Sequence, residues 1–160
     1  LTALIVAGRI GAGITAEIGT MTVTEQVDAL KAFAVNPVKY LVVPRFLALI
    51  VMLPFLTILA DLVGMMGGFV ICVYKLGISP ALYFTMITQA LSAKDIVTGL
   101  IKTISFGSII ALVGCREGLN VKAGAEGVGK ATTMSVVISF ILIIVADCIF
   151  TTMFYFVFQS

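Results

Sequence analysis

Residues 46–74 read FLALIVMLPFLTILADLVGMMGGFVICVY, and Asp61 is the only charged residue among them. A helix needs about 20 apolar residues to cross the hydrocarbon core of a bilayer. A second run, 131–160, contains Asp147 as its only charged residue. Of all 160 residues, 61% are hydrophobic and 11% are charged, whereas soluble domains carry about 25% charged residues. The sequence therefore predicts an all-α, polytopic helical membrane protein.

Hydropathy and turn residues divide the rest of the chain. The predicted segments are the end of a span at 1–20, a polar helix at 22–36, a span at 44–74, a short helix at 79–92, a span at 97–115, a loop at 116–130 and a span at 131–158. Segment 79–92 is too short to cross a bilayer, so we expect it to be re-entrant or to lie at the extracytoplasmic surface. Because Leu1 lies inside an apolar run, we expect a single transmembrane domain, 1–160, whose N-terminal part is missing.

Basic residues are distributed unequally between the two sides of this arrangement. The side of the polar helix carries Lys31, Lys39, Arg45, Arg116, Lys122 and Lys130. The opposite side carries Lys75 and Lys94. Loops rich in lysine and arginine stay in the cytoplasm, so the polar helix and the loop 116–130 are expected there. The C-terminus is then extracytoplasmic.

The polar segment 22–37, TVTEQVDALKAFAVNP, has the features of a short surface helix. Thr22 and Glu25 have the spacing of a capping box at a helix start, and Pro37 is expected to stop the helix. Apolar side chains recur at helical spacing, at Val27, Leu30 and Phe33. A charged helix with one apolar stripe is too polar to span lipid, so it lies at the membrane surface or docks on a soluble protein.

Three charged residues lie deep inside predicted spans, at Asp61, Lys102 and Asp147. At a rise of 1.5 Å per residue they lie about 26, 21 and 24 Å from the predicted cytoplasmic ends of their helices. Such charges normally face a protein interior or a water-filled cavity, and they often pair. The three could therefore meet in the outer half of the bilayer, as a structural ion pair or as part of a substrate pathway. Arg9 and Glu17 are expected to snorkel towards water.

Small residues recur every four positions in several spans. The glycines of these rows are Gly11, Gly19, Gly64, Gly68, Gly99 and Gly107. Rows of this kind let membrane helices approach closely, either within one subunit or between two.

Residues 124–131, GAEGVGKA, nearly match a nucleotide-binding phosphate loop. The match fails because Ala131 stands where that loop needs a hydroxyl for Mg²⁺, and because a membrane helix precedes it instead of a buried strand. The three cysteines have no metal-ligand spacing, and there is no histidine. The sequence therefore predicts neither a catalytic residue nor a metal or cofactor site, and any ATP hydrolysis must come from another chain.

Several motifs together resemble one known family. They are AGRIGAGITAEIGTM at 7–21, TEQVDAL at 24–30, the Asn-Pro at 36–37, the Pro-Arg at 44–45, GLIKTISFG at 99–107, GAEGVGKATT at 124–133, and Asp147. This combination resembles the MlaE/YrbE family of ABC-transporter permeases over nearly the whole chain.

The resemblance implies a multi-pass inner-membrane permease of five helices that works as a homodimer and moves phospholipids. It implies a cytoplasmic ABC ATPase, holding ATP and Mg²⁺, on a coupling helix at 22–36, an MCE-domain lipid-binding protein on the outer side, and no nucleic-acid partner. The implied ATPase contacts are Glu25, Gln26, Val27, Asp28, Leu30 and Phe33. Lys102 and Asp147 fall on charged positions of the lipid pathway, whereas Asp61 is outside the family pattern.

Two other functions are compatible with the sequence. The charges at Asp61, Lys102 and Asp147 would also suit an ion-coupled secondary transporter, which needs no ATPase. A non-transporting membrane anchor would use the same charges only for structure. An ATPase that copurifies with the chain would favour the ABC transporter.

Overall fold

The chain is a bundle of long helices. A computed structural model describes residues 1–91, 93–122 and 124–159. The described helices are α1 (Thr2–Val23), α2 (Gln26–Ala32), α3 (Val38–Tyr74), α4 (Pro80–Ala90), α5 (Ala93–Leu119) and α6 (Gly124–Gln159). Within these ranges there is no strand, and α1, α3, α5 and α6 each contain a stretch long and apolar enough to cross a membrane. The prediction of an all-α polytopic membrane protein is therefore confirmed.

Helix α1 lies between α5, α6 and the first half of α3. It runs parallel to α5, because Gly11 of α1 lies beside Ile110 of α5 and Ile18 of α1 lies beside Gly118 of α5. It runs antiparallel to α6. The buried apolar core is formed by Ala3, Val6, Ala7, Ile14, Ile18, Leu49, Leu53, Phe106, Ile110, Ala111, Cys115 and Ile143. We call the two ends of the bundle the α2 end and the α4 end, after the short helix found at each.

The contact between α1 and α5 depends on residues without large side chains. A methyl group at Gly118 would lie 2.8 Å from Cβ of Ile18, and one at Gly114 would lie 3.3 Å from the carbonyl oxygen of Gly11. Neither glycine was singled out from the sequence, because the predicted row advanced in steps of four only. When steps of three are allowed as well as steps of four, the row of small residues on α5 runs through Gly107, Ala111, Gly114 and Gly118. These residues share one helix face.

The six predicted packing glycines divide into two groups. A methyl group at Gly11, Gly19, Gly68 or Gly107 would meet a neighbouring atom at 3.0–3.1 Å. At Gly64 or Gly99 it would meet none within 4 Å. The first group packs within this chain, whereas the other two face open space in it.

Gly118→Ala is expected to lower stability. The added methyl cannot fit at 2.8 Å from Ile18, and overpacking of this kind costs about 1–3 kcal/mol. Gly99→Ala on the same helix is the matched control, because it meets no atom and gains roughly 0.5–1 kcal/mol of helix propensity. Thermal unfolding of the purified variants in detergent should move in opposite directions. Equal melting temperatures would contradict the close packing of α1 on α5.

Several predicted boundaries differ from the structure. Helix α1 continues through Thr22, so the capping box is wrong: the Thr22 hydroxyl donates to the carbonyl oxygens of Ile18 (2.9 Å) and Gly118 (3.2 Å). Glu25 has a left-handed backbone with φ of 61° and makes no side-chain cap. The polar helix begins only after this turn, at Gln26.

The other ends differ for similar local reasons. Helix α2 ends at Ala32, and Ala34 turns the chain with φ of 59°, so Pro37 does not stop α2 but precedes the first turn of α3. The predicted loop 116–130 is also wrong. Helix α5 continues to Leu119 and α6 begins at Gly124, so the glycines of this segment are mostly helical.

Candidate functional site

Two of the three predicted intramembrane charges form an ion pair between α5 and α6. The Lys102 Nζ donates to Asp147 Oδ1 at 3.0 Å and to Thr151 Oγ1 at 2.8 Å. The Thr151 hydroxyl in turn donates to the carbonyl oxygen of Asp147 at 2.7 Å. This Lys102–Asp147–Thr151 group is the polar cluster. Thr151 was missed in the sequence, although its position four residues after Asp147 places both side chains on one face of α6.

The polar cluster lies at the surface of this chain but far along the spans. The side chains of Lys102 and Asp147 are 21% and 53% exposed. Gly118 packs beside Ile18 near the α2 end, and Lys102 precedes it by 16 residues, which is about 24 Å along α5. A charged group at that level faces lipid or another protein surface, so its charge must be balanced locally. The cluster therefore places a lysine whose charge is balanced by a carboxylate on an otherwise apolar helix surface.

Asp61 does not join the polar cluster. It lies on the exposed side of α3, in a cavity formed with α4, and it makes no ion pair or hydrogen bond to any residue that the structure describes. Its depth along the helix is similar to that of Lys102, because it follows Arg45 by 16 residues, which is about 24 Å. Its direction around the helix axis is different, so the expectation that the three charges meet holds for only two of them.

A second ion pair lies near the α2 end. The Glu17 carboxylate of α1 forms an ion pair with Arg45 Nη2 of α3 at 2.8 Å, and Arg45 Nη1 donates to the carbonyl oxygen of Leu41 at 2.9 Å. Glu17 is expected to snorkel towards water, and its side chain is 62% exposed while it also joins α1 to α3. Arg9 is exposed on the face of α1 that points away from the bundle. The Glu17–Arg45 pair therefore fixes the two helices that flank α2.

A buried hydroxyl pair lies in the middle of the bundle. Thr15 Oγ1 lies 2.8 Å from Ser135 Oγ, and it contacts the carbonyl oxygens of Gly11 and Gly114 at 3.0 and 3.1 Å. Both side chains are fully buried. The sequence gives little indication of this hydroxyl pair, because serine and threonine are common in membrane helices. These hydrogen bonds link α1 to α5 and to α6.

Helix α2 presents fewer apolar side chains than its sequence suggested. Val27 is only 6% exposed and packs against the bundle, and Leu30 is half-buried. Phe33 follows the last helical residue and is 81% exposed. Glu25, Gln26 and Asp28 are also exposed, and Asp28 pairs with Lys31 at 2.8 Å. The predicted apolar stripe therefore divides, with Val27 pointing inwards and Phe33 pointing outwards.

The segment that resembles a phosphate loop is the first turns of α6. Lys130 pairs with Glu126 four residues earlier, at 2.7 Å, and both side chains are largely exposed. Helical backbone from Gly124 onwards does not wrap around a phosphate with successive N–H groups, as a nucleotide-binding loop must. The geometry of these residues therefore offers no cradle for ATP.

Comparison with known proteins gives consistent matches over the chain. The family described as permease MlaE matches residues 1–153. A probable ABC transporter permease protein of Rickettsia prowazekii (strain Madrid E) is 47% identical over 155 residues, which cover 97% of this chain and 60% of that protein. A probable ABC transporter permease protein of Synechocystis sp. is 45% identical over 147 residues, or 92% and 56%.

A plant protein also matches. The protein TRIGALACTOSYLDIACYLGLYCEROL 1, chloroplastic, of Arabidopsis thaliana is 39% identical over 155 residues, which cover 97% of this chain and 44% of that protein. The name of this relative is that of a galactolipid. The chain spans 60% or less of the length of these three relatives.

Proposed function

The chain belongs to the MlaE family of permeases, and we propose that it is the membrane subunit of an ATP-driven ABC transporter that moves phospholipids between the inner membrane and the outer envelope. The observation that carries the proposal is the polar cluster: a lysine amine held between two apolar spans, about 24 Å from the α2 end. A phosphate group that passes through an apolar environment needs a cationic partner. The lipid name of the plant relative supports lipid as the class of cargo.

The proposed assembly has three other components. A cytoplasmic ABC ATPase docks on α2 and the turn that follows it, where Phe33 is exposed beside the Asp28–Lys31 pair. A second copy of this chain completes a homodimer, and an MCE-domain lipid-binding protein covers the α4 end. In this assembly the α2 end is cytoplasmic and the C-terminus is extracytoplasmic, as the distribution of lysine and arginine predicts.

Native mass spectrometry of the full-length permease purified with its copurifying proteins tests this composition. We expect two permease chains, two ATPase chains and bound phospholipid in one complex. A permease that transports lipid on an ion gradient, with no ATPase attached, would favour the secondary transporter instead. A complex that binds peripheral proteins but moves no lipid would favour the anchor.

We also expect that this chain alone does not bind ATP, because Lys130 forms an ion pair with Glu126 and both residues lie on a regular helix. Equilibrium binding of a fluorescent ATP analogue to the isolated permease should show no saturable site. Lys130→Ala should leave the ATP affinity of the assembled transporter unchanged. Saturable binding to the isolated chain that disappears in Lys130→Ala would overturn this expectation.

A further inference from the structure

Two adjoining cavities lie between α3 and α4, and the proposed function does not use them. The first, of about 340 Å³, is entirely apolar and is lined by residues such as Leu62, Met66, Phe69 and Phe84. The second, of about 600 Å³, is lined by Asp61, Gly64 and Leu91. Both cavities are bordered by Met65, Tyr83 and Ile87. They therefore form one cleft, which is apolar on one side and carries a carboxylate on the other.

A specific contact joins α4 to α3 within the cleft. The Tyr83 hydroxyl donates to the carbonyl oxygen of Met65 at 2.8 Å, and the Tyr83 ring packs edge-on against Phe69 with centroids 5.4 Å apart. A methyl group at Gly68 would lie 3.0 Å from the Tyr83 oxygen, so a small residue is needed there. Because its hydroxyl donates to a backbone carbonyl, Tyr83 borders both cavities without adding an unpaired polar group to the apolar one.

Asp61 gives the cleft its charge. It follows Arg45 by 16 residues, or about 24 Å, which is still within the roughly 30 Å thickness of the hydrocarbon core. Among the residues that the structure describes, none forms an ion pair or a hydrogen bond with it. A smaller cavity beside it, of about 150 Å³, is bordered by Asp61 and Asp95. A carboxylate in this position favours a positively charged partner.

The shape of the cleft selects the kind of cation. An inorganic divalent cation such as Ca²⁺ requires 6–8 oxygen ligands, and the Asp61 cavity offers one carboxylate on a wall that is otherwise almost entirely apolar. The volume of the apolar cavity, about 340 Å³, falls in the range of roughly 300–1,000 Å³ that is typical of ligand pockets. The cleft therefore fits an amphiphile with an ammonium group at one end and hydrocarbon at the other.

We propose that the α3–α4 cleft binds a lipid whose headgroup carries a primary amine, with the ammonium group against Asp61 and part of an acyl chain in the apolar cavity. This inference rests on the proposed function, because it names one class of lipid that the permease handles. It adds a site separate from the Lys102–Asp147–Thr151 polar cluster. The two sites have complementary charges: a lysine for the phosphate and an aspartate for the amine.

The experiment uses the full-length permease assembled with its ATPase in vesicles. Two photoreactive lipids with identical acyl chains, a phosphatidylethanolamine and a phosphatidylglycerol, are crosslinked in parallel, and the labelled peptides are mapped by mass spectrometry. We expect phosphatidylethanolamine to label the peptides of α3 and α4 about tenfold more strongly, since a hydrogen bond to a charged group is worth a factor of this size. Asp61→Asn should remove the preference, and Ile87→Trp should reduce labelling by both lipids by filling the cleft.

Glu126→Gln is the matched control, because it removes a carboxylate at the other end of the bundle, from an exposed pair with Lys130. It should keep the full preference for phosphatidylethanolamine. Equal labelling by the two lipids, or a preference that survives Asp61→Asn, would overturn the inference. A change in the dependence of transport on Na⁺ or K⁺ in Asp61→Asn, without selective lipid labelling, would also overturn it and assign the site to an inorganic cation.

ATP-dependent transport of both lipids is recorded on the same samples. Transport without a labelling preference would refute the amine site and leave the proposed function intact. Selective labelling without ATP-dependent transport would refute the proposed function instead. The two failures are therefore distinguishable.

Discussion

Single neutralisation of the polar cluster is expected to abolish lipid transport and to destabilise the permease. Lys102→Met leaves Asp147 without its cation, and Asp147→Asn leaves the Lys102 ammonium with neutral partners, an amide oxygen and the Thr151 hydroxyl. Leaving a charge unpaired within a span is costly, but Lys102 and Asp147 are 21% and 53% exposed, so the loss of stability should be smaller than the roughly 3–5 kcal/mol of a fully buried pair. Thermal unfolding in detergent and ATP-dependent lipid transport in liposomes measure the two effects.

The double variant, Lys102→Met with Asp147→Asn, separates structure from function. It leaves no unpaired charge, so its stability should return close to that of the parent. It should still fail to transport, because the cationic partner of the lipid phosphate is gone. Thr151→Val is the milder control, which keeps both charges and removes one hydrogen bond to Lys102. A stable double variant that transports at the parent rate would reduce the polar cluster to a structural device.

Phe33→Asp is expected to release the ATPase from the permease. Phe33 is 81% exposed at the end of α2, and an aromatic anchor in the centre of an interface contributes about 2 kcal/mol or more, which is about thirtyfold in affinity. Leu30→Asp should also weaken docking. It is a less specific test, because Leu30 is half-buried and its replacement also disturbs the packing of α2.

The control for Phe33→Asp lies at the other end of the bundle. Leu76 is 66% exposed in the connection between α3 and α4, so Leu76→Asp introduces the same charge at an apolar surface position away from α2. Copurification of the ATPase with each variant, at equal amounts of permease in the membrane, gives the answer. Equal recovery of the ATPase with Phe33→Asp and with the parent would rule out docking through this residue.

The membrane fold could be predicted from the sequence because the apolar runs 46–74 and 131–160 both exceed the roughly 20 residues that a helix needs to cross a bilayer. The Lys102–Asp147 pair could also be predicted from the sequence, since depth along a helix rises by a fixed 1.5 Å per residue. Depth does not give direction around the helix axis, which depends on how neighbouring helices pack. For that reason Asp61 was assigned the correct level but the wrong neighbours, and it faces α4 instead of Lys102.

The errors at the α2 end have a different origin. Thr22 and Glu25 have the spacing of a capping box, but that pattern assumes that a helix starts at Thr22. Packing of Ile18 and Gly19 against α5 and α6 carries α1 through this position, and the Thr22 hydroxyl bonds to backbone within the helix and across to α5. Tertiary contacts therefore override the local signal. The helical start of α6 is missed for a related reason, because the four glycines in 118–129 favour a loop only in the absence of such contacts.

ATP-dependent lipid movement by the purified full-length permease, together with its ATPase in liposomes, tests the proposed transport function directly. A fluorescent phospholipid that is quenched in one membrane pool reports the transfer. We expect lipid transfer that requires both ATP hydrolysis and the permease, that is lost in Lys102→Met, and that is lost in Phe33→Asp together with the ATPase. ATP hydrolysis without any lipid transfer, or transfer at the parent rate without the ATPase, would contradict it.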